Sequence, residues 1–145
     1  MMNSTNHSMQ IDPFEYYPRL RRVKAYVEDH LHAPIRLGEV AEAVGLSRTY
    51  FSKYFSEKTG SNFSDWLIKT RVHKAKEMLE EQDFSIAHVA SSSGYQDMRT
   101  FERNFKRVTG MTAMQYKKSC RGRLTGAHQA LHQGLGYIRN PLTAV

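Results

Sequence analysis

The stretch VGLSRTYFSKYFSEKTG, residues 44–60, decides the fold. Gly45 can take the left-handed backbone that stops one helix, and Ser47 is a residue type that caps the start of the next. Phe51 and Phe55 share one face of that next helix, Tyr50 and Tyr54 flank them, and Thr59-Gly60 closes it. Just upstream, LGEVAEAVG turns Leu37, Val40, Ala41 and Val44 inward on a shorter helix. Two short helices joined by about three residues around a glycine make a helix-turn-helix unit. Opposite Phe51, at about 100° per residue, fall Thr49, Ser52, Lys53 and Ser56. That outer face is small, polar and partly basic, more than a helix that only covers a core requires.

The pattern recurs in SIAHVASSSGYQDMRTFERNFKRVTG, residues 85–110. Leu37, Val40, Ala41 and Gly45 return as Ile86, Val89, Ala90 and Gly94 at an offset of 49. Phe51, Phe55, Thr59, Gly60 and Trp66 return as Phe101, Phe105, Thr109, Gly110 and Tyr116 at an offset of 50. One extra residue therefore sits in the second turn, and Asp97 stands where Ser47 stood, a second residue suited to capping. An insertion confined to a turn, with the cap chemistry kept, marks an internal duplication.

Around the two units the chain reads as helix. In PRLRRVKAYVEDHLH, residues 18–32, Leu20, Val23, Val27 and Leu31 form an amphipathic stripe that Ala33-Pro34 ends. Residues 62–82 hold neither glycine nor proline, and Phe63, Trp66, Leu67, Thr70, Ala75, Met78 and Leu79 stripe what is expected to be the longest helix. TAMQYKKSCR, residues 112–121, makes a last one. The expected fold is all-α: two helix-turn-helix subdomains, residues 18–61 and 83–121, joined by a linker helix over 62–82, about seven helices in all. Residues 1–17 are expected to be a flexible segment until Phe14, Tyr16 and Tyr17 dock, and residues 122–145 a Gly-rich basic tail with at most a turn or two of helix around Leu124, His128, Leu131 and Leu135. Trp66, Tyr54 and Tyr50 read as core.

Composition narrows the function. Lys and Arg number 21 against 14 Asp and Glu, a net charge of +7, which points toward a polyanionic partner. Cys120 is the only cysteine, which excludes an intramolecular disulfide and a multi-cysteine zinc site and suits a reducing cytosol. Nothing in the N-terminal residues reads as a secretory leader, and no apolar run is long enough to span a bilayer. His128 and His132, four apart, have no HExxH or carboxylate context for a metal, and Cys120, beside basic residues in KSCRGR, reads as a free structural or surface thiol. No phosphate loop, dinucleotide glycine pattern or serine elbow is present. The reading is of a protein that is not an enzyme and needs no cofactor.

Residues from about 20 to 120 resemble the DNA-binding domain of the AraC/XylS family of bacterial transcription regulators. The resemblance is carried by LGEVAEAVGLSRTYFSKYFSEKTG, by RVHKAKEML with Arg71, Ala75 and Met78-Leu79, and by SIAHVASSSGYQDMRTFERNFKRVTGMTAMQYK, in that order. Three positions depart from the family pattern: Tyr95, Ala113 and Lys117 stand where it has Phe, Pro and Arg. Ala113 removes the proline that would start the final helix. So short a stretch precedes the resemblance that it implies the stand-alone type, with no small-molecule effector domain and with regulation through the protein's own abundance.

The resemblance places base contacts at Thr49, Ser52 and Lys53, then at Met98, Arg99, Glu102 and Arg103. The chemistry suits this: arginine reads guanine bidentately, a carboxylate accepts from cytosine N4, and Met98 or the Thr49 methyl can touch a thymine methyl. Phosphate contacts fall to Arg48, Ser56 and Lys106 and to the helix starts at Ser47 and Asp97, whose following amides point outward. The implied partner is double-stranded promoter DNA, bound by a monomer in the cytoplasm at the nucleoid, with RNA polymerase as a further candidate and no membrane. A helix of about 20 residues spans roughly 30 Å, near the roughly 34 Å between successive major-groove faces. The expected site is therefore bipartite and non-palindromic. Two other readings compete: a solvated surface in which Glu102 and Lys106 form an ordinary i,i+4 pair, and an adaptor or antagonist of the same fold without specific operator binding.

Overall fold

The computed structural model describes residues 10–132, and the backbone alone for residues 123–132. All regular structure among the described residues is helical: α1 (Pro13–Tyr16), α2 (Pro18–His30), α3 (Leu37–Ala43), α4 (Arg48–Thr59), α5 (Phe63–Glu81), α6 (Ile86–Ser92), α7 (Met98–Thr109) and α8 (Ala113–His132). The all-α reading holds. The chain divides into two compact units, the first ending at Arg71 and the second beginning at Val72, inside α5.

In the first unit Leu20, Val23 and Val27 of α2, Val40 and Ala41 of α3, and Phe51 and Phe55 of α4 are buried in one cluster with Phe63 and Leu67 of α5. Phe55 meets Phe63 edge-on at 5.5 Å between ring centres and Trp66 at 5.5 Å, a geometry aromatic quadrupoles favour. Helix α1 is the extra element. Asp12 caps it by accepting from the Phe14 N–H at 2.9 Å, and Phe14 stacks on Trp66 at 5.0 Å. The segment expected to be flexible as far as residue 17 is thus fixed over its last turn by an aromatic contact some fifty residues away in the chain. Residues 1–9 of that segment lie outside the described residues.

Tyr50 corrects the expected core. It is 54% exposed and lies along α4 against Tyr54, while Trp66 and Tyr54 are partly buried against the cluster. One residue before Phe51, Tyr50 is turned about 100° off the buried face, and only its neighbour one turn on is within reach.

The second unit buries Val89, Ala90, Phe101, Phe105, Ala113 and Cys120 together with Val72, Ala75, Met78 and Leu79. Tyr95 meets Phe101 at 5.3 Å and Tyr116 meets Phe105 at 5.7 Å. Ser93, fully buried in the turn, donates to the Val89 carbonyl at 2.7 Å, so its hydroxyl is satisfied.

The last helix begins where expected, within a residue, and differs at its far end. Without proline, α8 is started by a capping box: the Gln115 N–H donates to the Thr112 hydroxyl at 3.1 Å and the Thr112 N–H to the Gln115 side-chain oxygen at 2.9 Å. The helix then runs past Arg121 to His132, through Gly122, instead of stopping where the glycine-containing tail begins. Glycine lowers helix propensity by only about 1 kcal/mol, and a helix already nucleated by a box and a packed first turn carries through it. The His128 and His132 side chains and residues 133–145 lie outside the described part.

Candidate nucleic-acid interface

Each unit builds its outer helix with the same hydrogen bonds. At the turn, the Gly45 N–H donates to the Glu42 carbonyl and the Leu46 N–H to the Ala41 carbonyl. In the second unit the Gly94 and Tyr95 N–H groups donate likewise to Ser91 and Ala90. Gly45 has φ +72° and Gly94 φ +91°, the left-handed region where a side chain would be strained. The helix start follows: Ser47 Oγ accepts from the Tyr50 N–H at 3.2 Å, and Asp97 Oδ1 from the Thr100 N–H at 2.7 Å. At the far end the Thr59 hydroxyl is 2.7 Å from the Phe55 carbonyl and accepts from the Ser61 N–H at 3.2 Å; Thr109 does the same to Phe105 and Met111 at 2.8 and 3.3 Å. The five-residue turn, 93–97, accommodates its extra residue without altering any of these bonds.

The framework clamps the phenylalanine face inward and leaves the other outside. Phe51, Phe55, Phe101 and Phe105 are 0% exposed. On α4, Thr49, Ser52, Lys53 and Ser56 are all exposed. The Ser52 hydroxyl donates to the Arg48 carbonyl at 3.2 Å, so toward a ligand it acts as an acceptor. Lys53 lies 3.9 Å from Glu57, but both side chains are largely in solvent and the pair holds Lys53 weakly. On α7, Met98, Arg99 and Arg103 are exposed and Glu102 is half-buried. Among the described residues no ion pair joins Glu102 to Lys106, so the ordinary pairing expected for an idle surface is not formed. Within each unit, then, the structure gathers the residues expected to meet bases on one side of one helix.

The residues expected at phosphates divide. Arg48, Ser56 and Lys106 are exposed. Ser47 and Asp97 spend their side chains as caps, which leaves the amides of the first helical turn as the groups able to meet an anion. The Thr100 N–H above all, then the Thr100 hydroxyl and the Arg103 and Arg99 guanidinium groups, hold the Asp97 carboxyl below the usual aspartate range. Two groups were not anticipated. Tyr50, exposed in the first turn of α4, offers an aromatic face beside Thr49; its offset from Phe51 was the available signal. Arg71 and Arg121, one repeat apart, brace the turn that precedes each helix-turn-helix, Arg71 by donating to the Ala33 carbonyl at 2.9 Å and Arg121 by pairing with Asp83.

Among the described residues no three His, Cys, Asp or Glu side chains assemble a metal site, and no helix is long and apolar enough to cross a membrane. The helix-turn-helix domain family matches residues 40–119, more than half of the chain and both repeats of the framework just described. The chain belongs to the AraC-type helix-turn-helix family. An uncharacterized helix-turn-helix-type transcriptional regulator of Staphylococcus aureus is 35% identical over 99 residues, covering 68% of this chain. This AraC-type chain spans only 13% of that relative's length. Among solved structures, the DNA-binding domain of AdpA, a global transcriptional factor, in complex with a target DNA, is 30% identical with a TM-score of 0.67. The match covers 77% of this chain and 96% of that one. An AraC-type transcriptional regulator from Chromobacterium violaceum has a TM-score of 0.66 over 71% of this chain and 92% of its own, and at 19% identity it speaks for the fold alone.

Proposed function

We propose that this AraC-type chain is a sequence-specific DNA-binding transcription regulator that binds promoter DNA as a monomer, with α4 and α7 entering successive major-groove segments. The observation that carries the reading is the duplicated framework: one set of hydrogen bonds, used twice, buries a phenylalanine pair and presents a hydrogen-bonding face. The likeness to a domain solved on its target DNA supports the same reading. Arg99 and Arg103 read guanine, Glu102 accepts from cytosine N4, and Met98 packs on a thymine methyl. Thr49, Ser52 and Lys53 read the other segment more loosely. Arg48, Ser56, Lys106 and the amides after Ser47 and Asp97 hold phosphates and set the register. RNA polymerase, met in the cytoplasm at the promoter, is the proposed protein partner.

The test is selection from random duplexes followed by retention of the selected fragment in excess competitor DNA. A bipartite, non-palindromic sequence bound by one chain, with retention abolished by Arg103→Ala, is the expected result. Retention indifferent to sequence would leave the adaptor reading in its place.

A further inference from the structure

We infer that the first two turns of α2 form a second, sequence-independent surface for DNA phosphates, in the first unit and outside its recognition helix. The inference rests on the DNA-binding reading above and enlarges its footprint. Arg19, Arg21, Arg22 and Lys24 are all exposed, and among the described residues none of them is in an ion pair. Leu20, Val23 and Val27 take the buried stripe of α2, so the four cations fan over the solvent side of its N-terminal half.

This arrangement works against the helix that carries it. The amino end of a helix bears partial positive charge and favours acidic neighbours, while the carboxyl end favours basic ones. Helix α2 has no acidic residue in its first turn and no side-chain cap at Tyr17, and in its last turn it places Glu28 and Asp29 beside His30. Its charges are reversed from the order that would stabilise it alone. A polyanion held at the amino end removes the conflict, since it meets both the dipole and the four side chains.

The position of the surface favours DNA as that polyanion. Tyr17, the residue before α2, lies beneath the Lys58 ammonium of the last turn of α4, 5.0 Å from its ring centre, and accepts a hydrogen bond from the Arg21 N–H at 3.1 Å. The basic start of α2 therefore continues from the carboxyl end of the first recognition helix through Lys58. Helix α4 itself offers few phosphate-holding cations, because Arg48 and a loosely paired Lys53 are the only ones on its outer side. Arg19, Arg21 and Arg22 supply what α4 lacks, along the backbone flanking its groove.

The experiment compares the full chain with an R19Q/R21Q/R22Q variant on the selected duplex. The duplex is used with more than a helical turn of flanking DNA on each side and again after trimming each end in turn. On the long duplex the variant's slope of log affinity against log salt is expected to be smaller by about two to three, at roughly 0.9 for each phosphate no longer neutralised. Trimming one end, and not the other, is expected to lower the wild-type slope by the same amount and to make the two proteins equal. The free variant is expected to melt at the same temperature or higher, which a structural role for these arginines would not allow. An unchanged slope in the variant, or wild-type slopes indifferent to trimming at both ends, overturns the inference; a variant that also lost transcriptional output would then assign the surface to an acidic protein. Specificity separates this failure from that of the parent reading: if no sequence is selected at all both fall, whereas retained selection with unchanged slopes removes the α2 surface alone.

Discussion

The two units make the same helix-turn-helix with different chemistry. Where the first caps its outer helix with Ser47, the second uses Asp97. Where Arg71 of the first braces the preceding turn through the Ala33 carbonyl, Asp83 of the second receives Lys117 at 3.0 Å and Arg121 as well, and Lys117 also donates to the Phe84 carbonyl at 2.6 Å. The outer face of α4 is Thr49, Ser52, Lys53 and Ser56; that of α7 is Arg99, Glu102, Arg103 and Lys106. Duplication has kept the geometry that hydrogen bonds impose and has let charge diverge. In the first unit the cap of the outer helix is a hydroxyl and the brace a guanidinium on a carbonyl, neither of which titrates in acid. The second is held by carboxylates and faces outward with arginine.

The difference can be broken first at the bases. Arg103→Ala is expected to cost about 1–3 kcal/mol of specific binding and to relax selectivity at one base pair, because a bidentate arginine carries both terms. Ser52→Ala is expected to change affinity a few-fold at most, since that hydroxyl has one donor and it is turned to Arg48. Equal losses, read by quantitative gel shift, would erase the distinction between the units.

Next comes the salt dependence. A Lys106→Ala, Arg107→Ala double variant is expected to lower the salt slope by about 2, and Lys53→Ala by about 1 or less, the Glu57 carboxylate already offsetting part of its charge. Identical slopes for wild type and the double variant would remove phosphates from the second unit.

Acid should separate the units in stability. Lys117 and Arg121 hold the Asp83 carboxyl below the aspartate range, Lys117 foremost, and the Thr100 N–H does the same for Asp97. A depressed carboxyl pKa contributes stability that is present above the unfolded value, about 3.9, and is lost as pH falls through the folded value. The second unit should therefore loosen first as pH falls below about 4. Trp66 is the only tryptophan and packs in the core of the first unit, so its fluorescence follows that unit, whereas far-ultraviolet circular dichroism follows both. Helical signal is expected to fall before the Trp66 emission shifts, and D83N/D97N is expected to bring the two curves together. Coincident curves in the wild-type chain would count against the carboxylate clamps.

The smallest effect is at the neutral cap. Ser47→Ala should cost about 1 kcal/mol, with no change between pH 7 and pH 4, measured by denaturant unfolding.

Much of this comparison could be read from residue order. The glycines of the two turns and the caps Ser47 and Asp97 act through bonds spanning five residues or fewer, and the Phe51/Phe55 and Phe101/Phe105 pairs show themselves by their four-residue spacing. What escaped has long-range or substitutable causes. Helix α1 is four residues long, and much of what fixes it is the Phe14 ring on Trp66, a contact no local pattern announces. The start of α8 fell within a residue of expectation, but that a Thr112–Gln115 capping box replaces the missing proline there was not read. The length of α8 was obscured by the glycines of the tail, yet a glycine ends a helix through a left-handed φ and Gly122 is not among those with positive φ. In the candidate site, the outward placement of Thr49, Lys53, Arg99 and Arg103 was legible from their angle to a buried phenylalanine. The half-burial of Glu102 and the inward hydrogen bond of Ser52 were not, because both depend on the neighbours each side chain finds.

Guanine methylation interference on the selected duplex tests the central claim most directly, since N7 lies in the major groove where both recognition helices would read. Two clusters of interfering guanines about one helical turn apart, one of them lost in Arg103→Ala and the other kept, are the expected result for a single chain bearing two reading heads. One cluster alone, or two that vanish together with a stoichiometry of two chains per duplex, would contradict it.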